Sequence, residues 1–301
     1  MSRTTTGGDL PAARVGRLES TWTAVGGLPI HALVSADPPR AAAGRPPVVL
    51  VHGLGLSCRY MVPLARHLAG DFRVFAPDLP GFGDSGKPDD ILDVPGLADA
   101  LAAWVQAAGL RGRVAPVGNS FGCQVIADFA ARHPELVDRA VLQGPTTPPD
   151  ERTWLRQFVR WRQNQPYNPP AMGPVTWRDY RKAGLRRLYR TFRHVLRDPV
   201  EDKLPGIRAP VLVVRGQLDP ICRLPWATEV ARLLPEGRLA EIPGVAHTLC
   251  YTAPVELAAV TRTFLDEGRA AKGRQEDGRA DGGAGPAARY GAAAGAERRA
   301  S

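Results

Sequence analysis

Short apolar runs alternate along the chain with segments of helical periodicity, and this alternation restricts the fold more than any other feature. The runs at residues 48–51, 140–143 and 211–215 are too short for buried helices and have the length of strands covered on both faces. Helical patterns separate them. Such an order is typical of a mostly parallel sheet with helices on both faces, so the sequence predicts an α/β domain.

Further elements extend this pattern. Residues 21–25 and 30–34, joined across Gly26 and Gly27, predict an opening antiparallel hairpin. The other predicted strands are 72–76, 114–117 and 239–242, and the predicted helices are 59–69, 121–131, 226–234, 254–266 and one that opens at Pro95. Pro116 lies in a predicted strand, where its missing N–H removes a ladder hydrogen bond, and the pattern does not explain it.

Composition sets the boundaries of the folded part. From Gly268 onward 19 of 34 residues are Gly or Ala with charges of mixed sign, which predicts a disordered tail at 267–301. Residues 1–15 are expected to be disordered as well. The predicted folded pieces are an α/β core at 16–144 and 206–266 and, at 145–205, a strand-free insert expected to form a cap of two or three helices.

Several classes of protein are excluded at this stage. No run of 18 apolar residues occurs and no hydrophobic segment of signal-peptide length follows Met1, so neither a membrane span nor secretion is indicated and a cytoplasmic location is expected. The four cysteines are far apart, so we expect no disulfide scaffold and no metal site. No cofactor is expected either. All four cysteines are predicted to be free thiols close to the functional site. Cys123 is expected to be the most buried of them, and Cys222 and Cys250 are expected to be accessible to thiol reagents.

The net charge of +9 raises the question of nucleic acid. The insert at 145–205 holds 13 Lys and Arg against 6 Asp and Glu, a net +7, so most of the excess is confined to one segment. We therefore expect a small-molecule substrate and no nucleic-acid partner. Nothing in the sequence fixes the oligomeric state.

The basic residues of the insert have two interpretations. Four arginines form a stripe at helical spacing, which is typical of a solvated face: Arg186, Arg190, Arg193 and Arg197. In the alternative, an inward-facing arginine holds a substrate carboxylate, the candidates being Arg160, Arg162 and Arg181.

The insert also carries two apolar faces at helical spacing. The first consists of Trp154, Leu155, Phe158 and Trp161, and the second of Leu188, Phe192, Val195 and Leu196. We expect both faces to pack the insert onto the core.

The segment Gly118-Asn119-Ser120-Phe121-Gly122 fits G-x-S-x-G and falls between a predicted strand and a predicted helix. A serine on so sharp a turn has a strained backbone, and small residues two before and two after it let strand and helix approach. Gly118 and Gly122 meet that need. The alternative is that Ser120 is an ordinary helix N-cap residue. This motif alone does not distinguish a nucleophile from an N-cap, so residues elsewhere in the chain are needed.

A serine hydroxyl is a poor nucleophile unless a base takes its proton and an acid orients that base. Asp219 follows the predicted strand 211–215, and His247 follows 239–242. Both lie just past the carboxyl end of a strand, the edge where open α/β sheets place their sites. The sequence therefore predicts a Ser120, Asp219 and His247 triad.

The tetrahedral intermediate of acyl transfer also needs hydrogen-bond donors. The donors we expect are the backbone N–H groups of Phe121, directly after the serine, and of Leu54, in the loop His52-Gly53-Leu54-Gly55 after strand 48–51, with Gly55 the fallback. His52 is expected to brace this loop. The other four histidines, His31, His67, His133 and His194, receive no role.

With these motifs the chain resembles the α/β-hydrolase superfamily over residues 20–266. The resemblance rests on the 52–55 loop, on the segment 78–85 (Asp-Leu-Pro-Gly-Phe-Gly-Asp-Ser), on the turn at 118–122, and on the Asp219 and His247 loops. It implies a serine hydrolase with a helical cap between the sixth and seventh strands. Hydrolysis of a carboxylic ester is the leading expectation.

Two alternatives stay open. Gly118-Asn119-Ser120 is similar to the turn of C–C bond hydrolases, where the asparagine helps to bind a vinylogous keto acid, although those enzymes usually carry tryptophan where Thr248 stands here. The second alternative is a non-catalytic protein that keeps this fold and acts as a ligand receptor. Haloalkane dehalogenases and epoxide hydrolases use an aspartate nucleophile and are disfavoured because Ser120 occupies that position.

Residues 81–86 match the G-x-G-x-x-G pattern of nucleotide-binding loops. The required context is missing, because Lys87-Pro88-Asp89-Asp90 follows where a helix should open. Nucleotide binding is not expected.

Overall fold

The computed structural model describes residues 16–280, without the side chains of Ala41 and of residues 268–280. The expected N-terminal disordered segment, 1–15, and residues 281–301 of the expected tail lie outside the described residues. The chain divides into two compact units at the boundary between Leu265 and Asp266.

The first unit is built on one eight-stranded sheet in the order β1-β2-β4-β3-β5-β6-β7-β8. The strands are β1 (Leu18–Val25), β2 (Leu28–Ser35), β3 (Val48–Val51), β4 (Val74–Pro77), β5 (Ala115–Asn119), β6 (Ala140–Gln143), β7 (Val211–Gly216) and β8 (Gly237–Ile242). Strand β2 pairs antiparallel with β1 and with β4, and all the other pairs are parallel. The predicted mostly parallel α/β architecture is confirmed.

Ten α-helices accompany the strands in the described part of the chain. They are α1 (Val62–Leu68), α2 (Val94–Ala107), α3 (Phe121–Arg132), α4 (Trp154–Asn164), α5 (Met172–Ala183), α6 (Leu185–Arg197), α7 (Val200–Lys203), α8 (Leu224–Leu233), α9 (Leu249–Thr252) and α10 (Pro254–Ala280). None of the helices within residues 16–280 is long and apolar enough to cross a membrane.

Both faces of the sheet are buried, as the short apolar runs require. In β3, Val49 and Val51 belong to the core under α2, α3 and α8, while Val48 and Leu50 belong to the core under α1, α9 and the first part of α10. This alternation follows from the two-residue period of a strand. Each core lies between the sheet and one layer of helices.

The opening hairpin follows the prediction. Val25 pairs with Leu28 across Gly26 and Gly27, whose φ angles of 55° and 81° are those of a two-residue turn with left-handed backbone. Both strands start two or three residues earlier than predicted. The glycines permit this turn without the steric strain that a Cβ atom would bring.

Pro116 is accommodated by a change of register beside it. Val114 bridges Val137, whereas Val117 pairs with Val141. The segment that leads into β6 therefore has one residue more than β5 between these two pairs, opposite Pro116. The ladder between β5 and β6 is therefore interrupted at the position where proline has no N–H to donate. This bulge is the physical account that the sequence pattern lacked.

The insert between β6 and β7 contains four α-helices, α4, α5, α6 and the one-turn α7. The sequence predicted two or three. The second predicted apolar face does pack inward, because Val195 and Leu196 are buried and Leu188 and Phe192 pack against the core. The first face does not: Trp154, Leu155, Phe158 and Trp161 are all exposed. The expectation that they pack the insert onto the core is wrong, since helical spacing defines a face without saying where it points.

The end of the unit differs from the prediction in two ways. The short helix α9 was not expected, and α10 continues to Ala280 instead of ending at residue 266. Residues 267–280, expected to be disordered, are helical in the structure. Their Ala, Arg, Lys, Gln and Glu content explains this, because these are good helix formers.

Candidate active site

Ser120 occupies the turn between β5 and α3 with φ 55° and ψ −118°. It is the one described non-glycine residue with positive φ, a conformation that costs roughly 1–3 kcal/mol and is concentrated at functional sites. A Cβ on Gly118 would lie 2.8 Å from the carbonyl carbon of Gly122, and one on Gly122 would lie 2.4 Å from the carbonyl oxygen of Val51. Neither glycine can be replaced without moving strand or helix.

His247 and Asp219 form a buried pair. His247 Nδ1 is 2.8 Å from Asp219 Oδ2, and the other carboxylate oxygen of Asp219 accepts the backbone N–H groups of Ile221 and Cys222 at 2.8 and 2.9 Å. An ionised carboxylate only accepts, so Nδ1 carries the proton and Nε2 is left as the basic nitrogen. Nε2 is buried and has no hydrogen-bond partner among residues 16–280.

Gly144, the residue after β6, packs directly against the His247–Asp219 pair. Its φ is 60°, and a Cβ there would lie 2.8 Å from His247 Cε1 and 2.9 Å from Nδ1. No motif in the sequence indicates this glycine. Only its position after a predicted strand, next to the predicted site edge, pointed to it.

Three side-chain amides hold the loop of His247. Asn119 Nδ2 donates to Gln143 Oε1 at 2.6 Å, and Gln143 Nε2 donates to the carbonyl oxygen of His247 at 2.7 Å. From the insert, Asn164 Oδ1 accepts the backbone N–H of His247 at 3.1 Å. All three amides are buried. Gln143 and Asn164 were missed because an isolated amide gives no sequence signal.

His52 connects the loop after β3 to the segment that follows β4. His52 is fully buried, its Nδ1 lies 2.9 Å from the carbonyl oxygen of Gly53, and its Nε2 accepts the backbone N–H of Leu79 at 3.0 Å. Burial lowers the pKa of His52, so the ring is neutral and both nitrogens are engaged with backbone. Gly55 has φ 73°, and a Cβ there would lie 2.5 Å from Leu188 Cδ2.

Ser120 and His247 line the same cavity, of about 1070 Å³, together with Leu54 and Phe121. Phe121 is the first residue of α3, and the first N–H groups of a helix have no acceptor within it. Gly53 and Asn119 also line the cavity, whereas Gly55 does not. Of the two loop residues expected to donate an N–H group, Leu54 is the one that lines the cavity.

The cavity walls are largely apolar and, among the described residues, include no Lys, Arg, Asp or Glu. Arg160 instead makes a bidentate ion pair with Glu151, and Arg162 and Arg181 are exposed to solvent. The alternative in which one of these arginines faces inward to hold a substrate carboxylate is wrong. Three of the four stripe residues, Arg186, Arg190 and Arg197, are exposed as expected for a solvated face. Arg193 is half-buried, with its Cζ 5.9 Å from the centroid of the Tyr189 ring.

A buried side-chain hydrogen bond joins the insert to the segment after the 52–55 loop. Ser57 Oγ donates to Asp179 Oδ2 of α5 at 2.7 Å, and Asp179 Oδ1 has no partner among the described residues. Burial raises the pKa of Asp179 to about 6. This contact was not predicted, because Ser57 and Asp179 are 122 residues apart in sequence.

All four cysteines are free and buried. Cys123 is no more buried than the others, and Cys222 and Cys250 are fully buried, so the expectation that they are open to thiol reagents is wrong. Burial raises the pKa of each thiol, which opposes formation of the reactive thiolate.

His31, Cys58 and Asp78 form a buried group whose candidate ligand atoms lie within 4.8 Å of one another. Asp78 already pairs with His31 Nδ1 at 2.8 Å and accepts the backbone N–H groups of Cys58 and Asp84 at 2.6 and 2.8 Å. Because these contacts use both carboxylate oxygens, the group fits the role of fastening the turn at 78–85 better than that of a metal centre.

Two family models match the chain, one described as alpha/beta hydrolase fold over residues 46–172 and one described as TAP-like protein over residues 193–276. The first match includes the turn that carries Ser120, and the second includes the loop of His247. The chain belongs to the α/β-hydrolase superfamily.

The relatives cover this chain unequally. An uncharacterised protein of Mycobacterium tuberculosis is 36% identical over 103 residues, which are 34% of this chain and only 30% of the relative. Lipase 1 of Psychrobacter immobilis is 26% identical over 246 residues, 72% of this chain and 76% of the lipase. The crystal structure of a membrane phospholipase A, a bacterial virulence factor, aligns with TM-score 0.71 and 27% identity over 84% of this chain and 87% of that one.

Proposed function

We propose that this chain is a serine hydrolase that cleaves carboxylic esters through an acyl-enzyme on Ser120. The observation that carries the proposal is the buried His247–Asp219 pair, whose Nε2 has no partner among the described residues and whose cavity Ser120 also lines. A base held in one tautomer, in the same cavity as a serine on a strained turn, supplies the two groups that acyl transfer requires.

In the first half of the reaction, Ser120 Oγ bonds to the ester carbonyl carbon while His247 Nε2 takes its proton. The backbone N–H groups of Phe121 and Leu54 stabilise the negative carbonyl oxygen. The carbonyl then re-forms, the C–O bond to the alcohol breaks, and His247 returns the proton to the alcohol. Asp219 stays ionised and stabilises the imidazolium.

In the second half, His247 takes a proton from water as the water oxygen bonds to the acyl carbon. Collapse of that intermediate releases the carboxylic acid, and the proton returns to Ser120 Oγ. In this proposal α4, α5 and α6 act as the predicted cap, because they supply much of the cavity wall.

The cavity supports an uncharged substrate with a sizeable apolar group. A volume of about 1070 Å³ without a Lys or Arg in its walls suits an apolar acyl or alkyl chain and gives no partner to the carboxylate of a keto acid. The amide of Asn119 is already engaged with Gln143. These features favour ester cleavage over C–C bond hydrolysis.

Labelling with a fluorophosphonate probe tests the proposal, because the probe forms a bond only to an activated serine. We expect wild type to be labelled at Ser120, Ser120→Ala not to be labelled, and turnover of aryl esters across a series of acyl lengths. A folded wild type that is neither labelled nor active on any ester contradicts the proposal and favours the ligand-receptor alternative. Turnover of a meta-cleavage product in place of esters favours the C–C hydrolase.

A further inference from the structure

A set of large apolar side chains surrounds the mouth of the cavity. Each of them lines the cavity and is also between 42% and 86% exposed. We name this set the apolar rim: Trp154, Phe158, Trp161, Trp177, Leu185 and Tyr189. Helices α4, α5 and α6 all contribute to it.

The apolar rim is connected across helices. Trp154 of α4 stacks on Tyr189 of α6 with ring centroids 5.1 Å apart, and Phe158 lies 5.9 Å from Trp161. Leu155, which follows Trp154 on α4, is 72% exposed and does not line the cavity. The apolar surface therefore extends outward beyond the mouth of the cavity. Contiguous exposed apolar patches are uncommon on monomeric proteins and mark interaction sites.

The exposed charges on the three helices that carry the rim have one sign. The single acidic residue of α4, α5 and α6 is Asp179, which is buried. Seven arginines of these helices are exposed: Arg156, Arg162, Arg178, Arg181, Arg186, Arg190 and Arg197. Within the described part of the chain, all but Arg156 and Arg178 lack both an acidic partner and a hydrogen-bond acceptor.

Helix α6 combines both features. Leu185 and Tyr189 follow one another at helical spacing on the rim, while Arg186 and Arg190 follow the same spacing one residue later. Basic helices with exposed aromatic and aliphatic residues are typical of segments that lie in the interface of a bilayer, where Trp and Tyr have an apolar body and a polar tip.

We propose that the apolar rim and the adjacent arginines bind the surface of a bilayer that contains anionic phospholipid. The rim side chains enter the headgroup region and the arginines contact lipid phosphates. A second copy of this chain is a poorer occupant, because two rims placed face to face bring the exposed arginines together. A nucleic acid is poorer as well, because a phosphate backbone leaves the apolar rim in water.

Adsorption in this orientation presents the cavity mouth to lipid. An uncharged acyl chain can then enter the cavity without crossing water. The binding step does not depend on the chemistry of Ser120, so it goes beyond the proposed function and can be tested apart from it.

The test is flotation of the full chain with vesicles, carried out in the Ser120→Ala background so that no lipid is cleaved. We expect binding to vesicles of phosphatidylcholine with phosphatidylglycerol, weakened by salt, and little binding to phosphatidylcholine alone. Arg186→Glu with Arg190→Glu should raise the Kd by at least about tenfold, since two groups attracted to an anionic surface are replaced by two that it repels. Leu155→Asp should weaken binding too.

Matched controls change the same residue types elsewhere. Arg111 and Arg113 are exposed outside the insert, so Arg111→Glu with Arg113→Glu makes the same change in net charge. Leu224→Asp replaces an exposed leucine of α8. Thermal unfolding shows whether each variant is folded. With Ser120 intact, the substitutions at Arg186, Arg190 and Leu155, which do not line the cavity, should leave the turnover of a small water-soluble ester unchanged.

Three results overturn the proposal. The first is absence of binding to anionic vesicles, and the second is an equal effect of test and control substitutions. The third is a concentration-dependent dimer that Leu155→Asp abolishes, which assigns the apolar rim to a second copy. Failure of the proposed function is a separate result, namely a wild type that binds vesicles but is not labelled by the fluorophosphonate.

Discussion

The backbone N–H of His247 donates a hydrogen bond of 3.1 Å to Oδ1 of Asn164, so a side chain of α4 holds the loop of the proposed catalytic base. The same amide donates through Nδ2 to Asn168 Oδ1 at 3.3 Å, and Thr248 Oγ1 donates to that oxygen at 3.0 Å. The insert thus supplies walls to the cavity and also fixes the position of the histidine.

We therefore predict that Asn164→Ala lowers kcat more than it changes KM. Loss of the acceptor leaves a buried N–H unpaired, at a cost of roughly 1–3 kcal/mol, and releases the loop, so kcat should fall by about tenfold. The measurement is steady-state kinetics on esters of several sizes. Gln163→Ala, at an exposed neighbouring position, is the control and should behave as wild type. A change in KM alone means that Asn164 only contacts substrate.

The proposed triad predicts non-additive losses. Ser120→Ala should lower turnover by at least about 10⁴-fold, and the double variant Ser120→Ala with His247→Ala should be little worse than either single variant, because the residues act in one step. Initial rates of the four proteins on one ester measure this. Losses that multiply show that the two residues act independently and that the assignment is wrong.

Much of the architecture could be predicted because it depends on local pattern. Buried strands are short apolar runs, and Ser120, Asp219 and His247 each follow such a run, so a parallel sheet carries all three to one edge. In the structure Ser120 and His247 line one cavity, and Asp219 contacts His247. Register and strand order convert spacing in the sequence into proximity in space.

The remaining features depend on contacts between distant segments. The sequence around Arg160 does not show whether its side chain faces a substrate or, as found, pairs with Glu151. Trp154 and Phe158 have the spacing of a core face, and only the orientation of α4 exposes them. The amides Gln143 and Asn164 belong to no motif. Periodicity identifies a face of a helix, but tertiary packing decides what that face meets.

Gly144→Ala is predicted to inactivate the protein without unfolding it. The added Cβ would lie 2.8 Å from His247 Cε1, so the ring must move away from Asp219. Gly109→Ala is the matched control, because Gly109 has a similar φ of 68° with nothing within 4 Å of the added Cβ. Both variants should lose about 1 kcal/mol of stability from left-handed backbone, and only Gly144→Ala should lose turnover. Equal activities contradict the role given to Gly144.

Asp179 should make the stability of the protein depend on pH. Burial raises its pKa to about 6 from the ordinary 3.8, so the folded state binds a proton more tightly than the unfolded state does. Stability from this group is therefore greatest at low pH and is lost as the pH rises from about 4 to about 6, by up to about 3 kcal/mol. The neighbouring charges, Asp78, Arg59 and Arg178, modify this effect.

We predict that Asp179→Asn removes this pH dependence. An asparagine oxygen still accepts the hydrogen bond from Ser57 but does not titrate, so the variant should lack the gain in stability that wild type shows on acidification from pH 7 to pH 5. Thermal unfolding of both proteins across that range measures the difference, and all other groups cancel in the comparison. Asp179 is 1% exposed, whereas Asp89 is exposed and makes Asp89→Asn a suitable control. Parallel pH profiles for wild type and Asp179→Asn would show that this carboxyl group titrates normally and that its burial beside Ser57 has no energetic consequence.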